Sequence, residues 1–212
     1  MPAMHRLLIA TLVSWLAALV PAGPAAAQGA PDEMIRALST QILDRIRSDK
    51  ELQGGDPRKL TELVDEAIMP NVNFERMTSL AVGRSWRQAT PEQQKQLQTE
   101  FRALLMRTYA GALSAVKDQT VRVKPLRAAA DDPEVVVRSE ILQGRGDPIQ
   151  LDYRLEKSNA SWKIYDLNVL GVWLVETYRN QFAQEINARG IDGLIKSLAD
   201  RNSRFTQGGK SS

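Results

Sequence analysis

The chain has 212 residues, a formal net charge of +3 and 43% hydrophobic residues, enough for a domain with a real apolar core and too balanced in charge for a nucleic-acid binder. It contains no cysteine, and its single histidine is His5. Beyond the first few residues, disulfides, thiol chemistry, zinc and blue-copper sites and Cys or His triads are excluded, which leaves carboxylates, Lys, Tyr and Ser for any catalysis.

Residues 1–27 have the three parts of a secretory signal peptide: a short basic start with Arg6, an apolar core over 7–20, and small residues ending in Ala25-Ala26-Ala27 before Gln28. The expected mature chain is a single exported domain over 28–202 with a flexible Gly/Ser-rich tail over 203–212. No calcium loop of the D-x-D-x-D-G type is present, so no metal site is expected.

Pro31 and Asp32 open a helix with Met34, Ile35, Leu38, Ile42 and Ile46 on one face, ending near Asp49. Gly54-Gly55 breaks the chain, and Asp56 caps a second helix with Pro57 at its first position. Residues 71–86 are too short-segmented for assignment. Thr90, Pro91 and Gln93 form a capping-box start, and Leu97, Phe101, Leu104, Leu105, Tyr109, Leu113 and Val116 follow at helical spacing.

The period then changes to two. Val121 and Val123 alternate with polar neighbours, as do Ile149, Leu151, Tyr153 and Leu155. Turn signals at Asp132-Pro133, around Arg145 and at Ser158-Asn159 divide four strands of an antiparallel meander. After Gly171 a helix is expected from Val172 to Arg189, with Val172, Val175, Tyr178, Phe182 and Ile186 in register. Gly190 closes it, and a short amphipathic helix follows through Leu198.

Two features strain an ordinary-core explanation. Four strands offer few inward positions for as many amphipathic helices to cover, and residues 169–175 carry no polar side chain. Trp86, Phe101, Tyr109, Tyr153, Tyr165, Trp173, Tyr178 and Phe182 fall mostly on inward faces. The acids Glu140, Asp152 and Asp166 lie in adjacent strands, and Asp166 with Tyr165 is the best candidate for catalysis. A general base without an imidazole or a second inward acid is disfavoured against a structural hydrogen bond for Asp166 and solvent-facing Glu140 and Asp152.

Gly83 with Trp86, the TPEQ segment leading to Phe101 and to RTYA at 107–110, and WKIYD followed by G-V and YRNQF together resemble the MlaC, or toluene-tolerance, family. The resemblance runs from about Asp32 to Asn202. Asn73, Ser85 and Trp173 depart from the family pattern. The resemblance implies an α+β fold, with amphipathic helices wrapping a curved four-stranded antiparallel sheet around a deep apolar lipid pocket. It implies a non-enzymatic periplasmic phospholipid carrier with no cofactor and no catalytic residue. Its expected partners are an inner-membrane ABC transporter complex with a lipid-binding ring protein and an outer-membrane lipoprotein–porin complex. The lining expected on this basis is Trp86, Phe101, Leu105, Tyr109, Tyr153, Tyr165, Val169, Val172, Trp173, Val175, Tyr178 and Phe182. An enzyme using Asp166 or Tyr165 and a periplasmic adaptor or chaperone remain the alternatives.

Overall fold

The computed structural model describes residues 29–126, 132–144, 146–158 and 161–208, with side chains as far as residue 204. The expected leader, the turn residues Arg145 and Asn159 and the last four residues lie outside them.

Helix α1 (Pro31–Ser48) has Pro at its start, Asp32 and Glu33 in its first turn and Arg45 and Arg47 in its last, matching the helix dipole at both ends. Asp49 ends it and caps the one-turn helix α2 (Lys50–Gln53), accepting from the amides of Glu51 and Leu52. Asp56 caps α3 (Pro57–Leu63) in the same way, and π and 3₁₀ turns carry the chain to Asn71. The segment that sequence left unassigned contains α4 (Phe74–Val82) and a 3₁₀ turn (Gly83–Gln88). Asn73 caps α4 by accepting from the Arg76 amide and donates 2.6 Å to Glu156. An acid at this position could cap but could not donate. Helix α5 (Pro91–Ser114) forms its capping box in full: Thr90 accepts from the Gln93 amide while its own amide donates to the Gln93 side chain.

The sheet is an antiparallel meander of five strands rather than the expected four: β1 (Thr120–Val123), β2 (Glu134–Leu142), β3 (Ile149–Lys157), β4 (Trp162–Val169) and β5 (Val172–Trp173), paired in that order. Val172 therefore belongs to a strand, and α6 (Leu174–Gly208) begins two residues later than expected. Gly190, with φ 70° and ψ −175°, kinks α6 in a conformation that disfavours any side chain. The second limb runs to Gly208, through residues read from sequence as a frayed tail. Asn202 is buried in that limb and donates to the Glu100 carbonyl and carboxylate of α5, so docking outweighs weak local propensity.

A bulge in β4 decides which face each side chain takes. Arg154 lies opposite Asp166 but Leu155 opposite Ile164, so Tyr165 is the extra residue. Val123, Val135, Val137, Tyr153, Leu155, Trp162 and Ile164 form the inner face against Ile35 and Leu38 of α1. Tyr153 ties the two layers through hydroxyl hydrogen bonds with Ser39 and Ser139, and burial pushes its phenol up to about 12.

An acid with a raised folded value stays protonated in the fold while the unfolded chain ionises from 10.0 upward, so stability falls as pH climbs from 10 to about 12. The expected loss is about 3 kcal/mol from this residue. Tyr165, also pushed up to about 12 by burial and by Glu134, titrates in the same window. Burial raises Tyr109 and Tyr178 as well, so urea denaturation across this range should show Tyr153→Phe losing a clear part, not all, of the wild-type slope; an unchanged slope would contradict the assignment.

Candidate functional site

A domain of this size usually has one contiguous core. Here the buried apolar residues fall into three clusters. The first joins α4, α5 and α6 through residues such as Met77, Leu97, Phe101, Val175, Tyr178 and Phe182. The second joins α1 to the inner face of the sheet. The third joins the end of α1 to α2, α3 and the C-terminal half of α5. The residues common to two clusters are Val72, Leu167 and Ile42, all of them only partly buried. The clusters thus meet along a seam of partly exposed apolar side chains. Leu105 and Tyr109 of α5 are half-buried against the first cluster.

The inner face of the sheet shows the same incompleteness as a gradient. At one end Val135, Leu155 and Ile164 are adjacent across three strands and nearly inaccessible. At the other end Val121 pairs with Ile141 and Ile141 with Ile149, while Leu151 pairs with Val169 and Val169 with Val172. All six are apolar; five are half-buried, and Val172 is 51% exposed. Strand alternation supplies an apolar floor along the whole face, and the helices cover only part of it.

The expected lining residues separate into four groups. Phe101, Tyr178 and Phe182 pack ring against ring, with centroids 4.9 to 5.6 Å apart, in the interior of the helical cluster, and Val175 is buried beside them. Trp86, Leu105 and Tyr109 are half-buried around that cluster, and Tyr153 is buried in the sheet cluster. Val169 and Val172 stand at the open rim. Tyr165 and Trp173 lie on the outer face, which removes them from the expected lining. Arg76 stacks on the Tyr165 ring and Arg154 on Trp173, each guanidinium 3.9 Å from the ring centre, and the Tyr165 hydroxyl donates to Glu134. Alternation from Trp162 and Ile164 faces Tyr165 outward, the bulge keeps Asp166 on that side, and pairing of Trp173 with Asn168 carries Trp173 there too. Val72 and Leu167, between the two clusters, are absent from the expected lining, whereas strand alternation alone places Leu151 and Val121 on the apolar face.

The carboxylates are structural. Asp166 is fully buried, accepts from the amides of Leu167 at 2.8 Å and Val175 at 3.0 Å, and pairs with Arg154 at 2.9 Å. It holds the start of α6 against β4. Glu140 is bound by Arg122 and Lys124. Asp152 does not face solvent as expected: it is buried and accepts from Gln150 and the Ser139 amide. Among the described residues no group of His, Cys, Asp or Glu is placed to hold a metal ion.

A concavity of about 420 Å³ lies across the α6 kink, lined by Gln181, Gln184, Glu185, Ala188, Arg189 and Arg201. Glu185 bridges both arginines there, so this cleft is polar and unrelated to the apolar seam.

Comparison with known proteins agrees with this geometry. The MlaC protein family model matches residues 36–200. The chain is 26% identical over 186 residues to the intermembrane phospholipid transport system binding protein MlaC of Haemophilus influenzae, covering 86% of this chain and 87% of that one. It is 27% identical over 163 residues to toluene tolerance protein ttg2D of Pseudomonas putida, covering 76% and 75%. Among solved structures, a phospholipid-binding protein from Ralstonia solanacearum in complex with a phospholipid superposes with a TM-score of 0.80 at 49% identity, covering 82% of this chain and 98% of that one.

Proposed function

The chain belongs to the MlaC family, and from that premise we propose that it carries phospholipid between membranes, with acyl chains in the seam between the three apolar clusters and the head group towards solvent. The observation that carries this reading is the incompletely covered apolar floor of the sheet, bordered by Leu167 and Leu151. A second apolar element is needed to complete it, and a hydrocarbon chain has the right chemistry. The role is binding, not catalysis: the best catalytic candidate, Asp166, is committed to a helix start and an ion pair.

Magnitudes explain why such a carrier must be closed around its cargo. Moving a phospholipid with ~30 apolar CH₂ groups into water costs roughly 24 kcal/mol at ~0.8 kcal/mol each. Transfer from bilayer to seam exchanges one dry environment for another and can be nearly neutral. Loading and release therefore occur against a membrane or a membrane complex. We place the mature protein, freed of residues 1–27, in the periplasm as one domain. It works there between an inner-membrane ABC transporter complex with a lipid-binding ring protein and an outer-membrane lipoprotein–porin complex. The leader pattern and the family support this placement.

Organic extraction of protein purified without detergent, followed by mass spectrometry, should give about one phospholipid per chain. Lipid-free, fully folded protein would overturn the reading and favour the adaptor alternative.

A further inference from the structure

The corner where α4, the 3₁₀ turn after it and α6 meet carries cations that the fold leaves without a counter-charge. Most arginines among the described residues pair with a carboxylate, Arg76, Arg102, Arg154 and Arg189 among them. Arg84, Arg87 and Arg179, all exposed, do not. Gly83, with φ 69°, turns the chain out of α4. Trp86 then packs against the helical cluster, and Gln94 donates to the Trp86 carbonyl at 3.0 Å, so the turn is held on both sides. Residues three apart eclipse in a 3₁₀ helix, which sets Arg84 and Arg87 side by side on its exposed face. Arg179 Nε donates to the Leu80 carbonyl at 2.8 Å, fixing that guanidinium at the end of the helix that leads into the turn.

The nearby acids serve other ends. Glu75, Glu92 and Glu176 lie in the first turns of α4, α5 and α6, where they match the helix dipoles. The partial negative charge at the C-terminus of α4 offsets one cation at most, and Arg179 already uses it. Folding therefore gives no account of Arg84 and Arg87, and mutual repulsion works against them.

We propose that Arg84, Arg87 and Arg179 form a docking surface for an acidic protein patch on a membrane complex that exchanges cargo with this chain. The inference rests on the phospholipid-carrier reading, in which release takes place only against a partner. A guanidinium presents a planar fork that a carboxylate fills with two hydrogen bonds, and a turn already held in place loses little freedom in forming them. A bilayer fits this corner less well. The exposed large apolar side chains among the described residues are Val136, Leu170 and Val172, all on the sheet or its turn, so nothing here would insert among lipids. Arg179 also lies in the second turn of α6, the helix that leads directly from the open rim at Val172. Exposed charges of this kind set encounter rates more than final affinity, which suits a carrier that must depart.

Arg84→Glu combined with Arg87→Glu separates docking from folding and from cargo, because neither side chain has a partner in the fold. Wild type and variant would be passed over the purified inner-membrane transporter complex and the purified outer-membrane lipoprotein–porin complex, each immobilised, at low and at physiological salt. The variant is expected to associate with at least one of them about tenfold more slowly at low salt, with unchanged lipid content and Tm. The wild-type rate should fall as salt is raised, while that of the variant should change little.

Lys50→Glu with Lys117→Glu makes the same change in net charge at exposed lysines on other elements, and should associate as wild type does. Equal slowing by this control would reduce the effect to net charge and overturn the proposal. Unchanged binding of the arginine variant to both complexes would overturn it too, as would wild type that binds neither. Vesicles of phosphatidylglycerol complete the test. If wild type binds them and the arginine variant does not, while both complexes hold the two proteins equally, the corner reads lipid phosphate and the inference fails. Absence of lipid from extracted wild-type protein would instead refute the carrier reading.

Discussion

Leu167→Trp is expected to cut bound phospholipid about tenfold while leaving the protein folded, with Tm within a few degrees of wild type. Leu167 is one of the two residues shared by the helical and sheet clusters, and it is only partly buried. A larger ring there has open seam to enter rather than a filled core to displace. Each CH₂ of cargo denied a dry place costs ~0.8 kcal/mol, so displacing about two of them suffices for the tenfold loss. Lipid extraction and mass spectrometry measure the outcome, with circular dichroism as the check on folding.

Two other substitutions would be less informative. Phe101→Ala removes a ring with 0% exposure and three aromatic neighbours, and should cost about 3–5 kcal/mol whether or not the protein binds anything. Val172→Trp alters a rim residue already half in solvent. If Leu167→Trp stays folded and keeps its full lipid complement, the seam is closed by the chain's own side chains and the site lies elsewhere.

Asp166→Ala is expected to destabilise the fold by about 3–5 kcal/mol, lowering Tm by roughly 10 °C. The substitution leaves Arg154 without its partner and the amides of Leu167 and Val175 without an acceptor, at the junction where β5 hands over to α6. Asp166→Asn keeps an acceptor and should cost only about 1 kcal/mol. The pH dependence distinguishes charge from shape. Burial pushes the Asp166 carboxyl above its ordinary 3.8, against the opposing pull of the Val175 and Leu167 amides and Arg154. The folded state therefore favours the protonated acid. That contribution is fully present below the unfolded value and is lost as pH rises through the folded one. Measured by urea denaturation, the penalty of Asp166→Asn should be larger at low pH than at neutrality. The reverse trend would mean that the ionised form is the one the fold prefers.

Helix starts were legible because a cap is a local transaction. Asp56 with Pro57, and Thr90 with Pro91 and Gln93, satisfy amides within three residues, and each opens a helix in the structure. The strand pattern of β3 was equally direct, since Tyr153 and Leu155 point inward as alternation demands. Asp166 was correctly weighed as a structural hydrogen-bonding group, because a lone carboxylate without an imidazole is poorly equipped for catalysis.

The corner over 169–175 was harder. Its uniform apolarity suggested a continuous lining leading straight into a helix. The structure divides it into a half-buried strand end, an exposed type I′ turn, a two-residue strand and a buried helix start. Hydropathy cannot express that division, because the positive φ of Leu170 is imposed by the pairing of Val169 with Val172.

By itself the sequence determined the α+β class, the antiparallel meander, the main helix starts and the absence of thiol and imidazole chemistry beyond His5. All of these follow from local propensity, periodicity and composition; the family was carried by the order of its motifs. Only the tertiary structure decided which side chains border the site. One extra residue in β4 returns Leu167 and Val169 to the inner face. The packing of α1 and α6 on different parts of the sheet leaves Leu167 and Val72 between two cores. A bulge reverses every facing beyond it, and a seam between cores exists only once distant elements have docked; neither is written in the spacing of nearby residues.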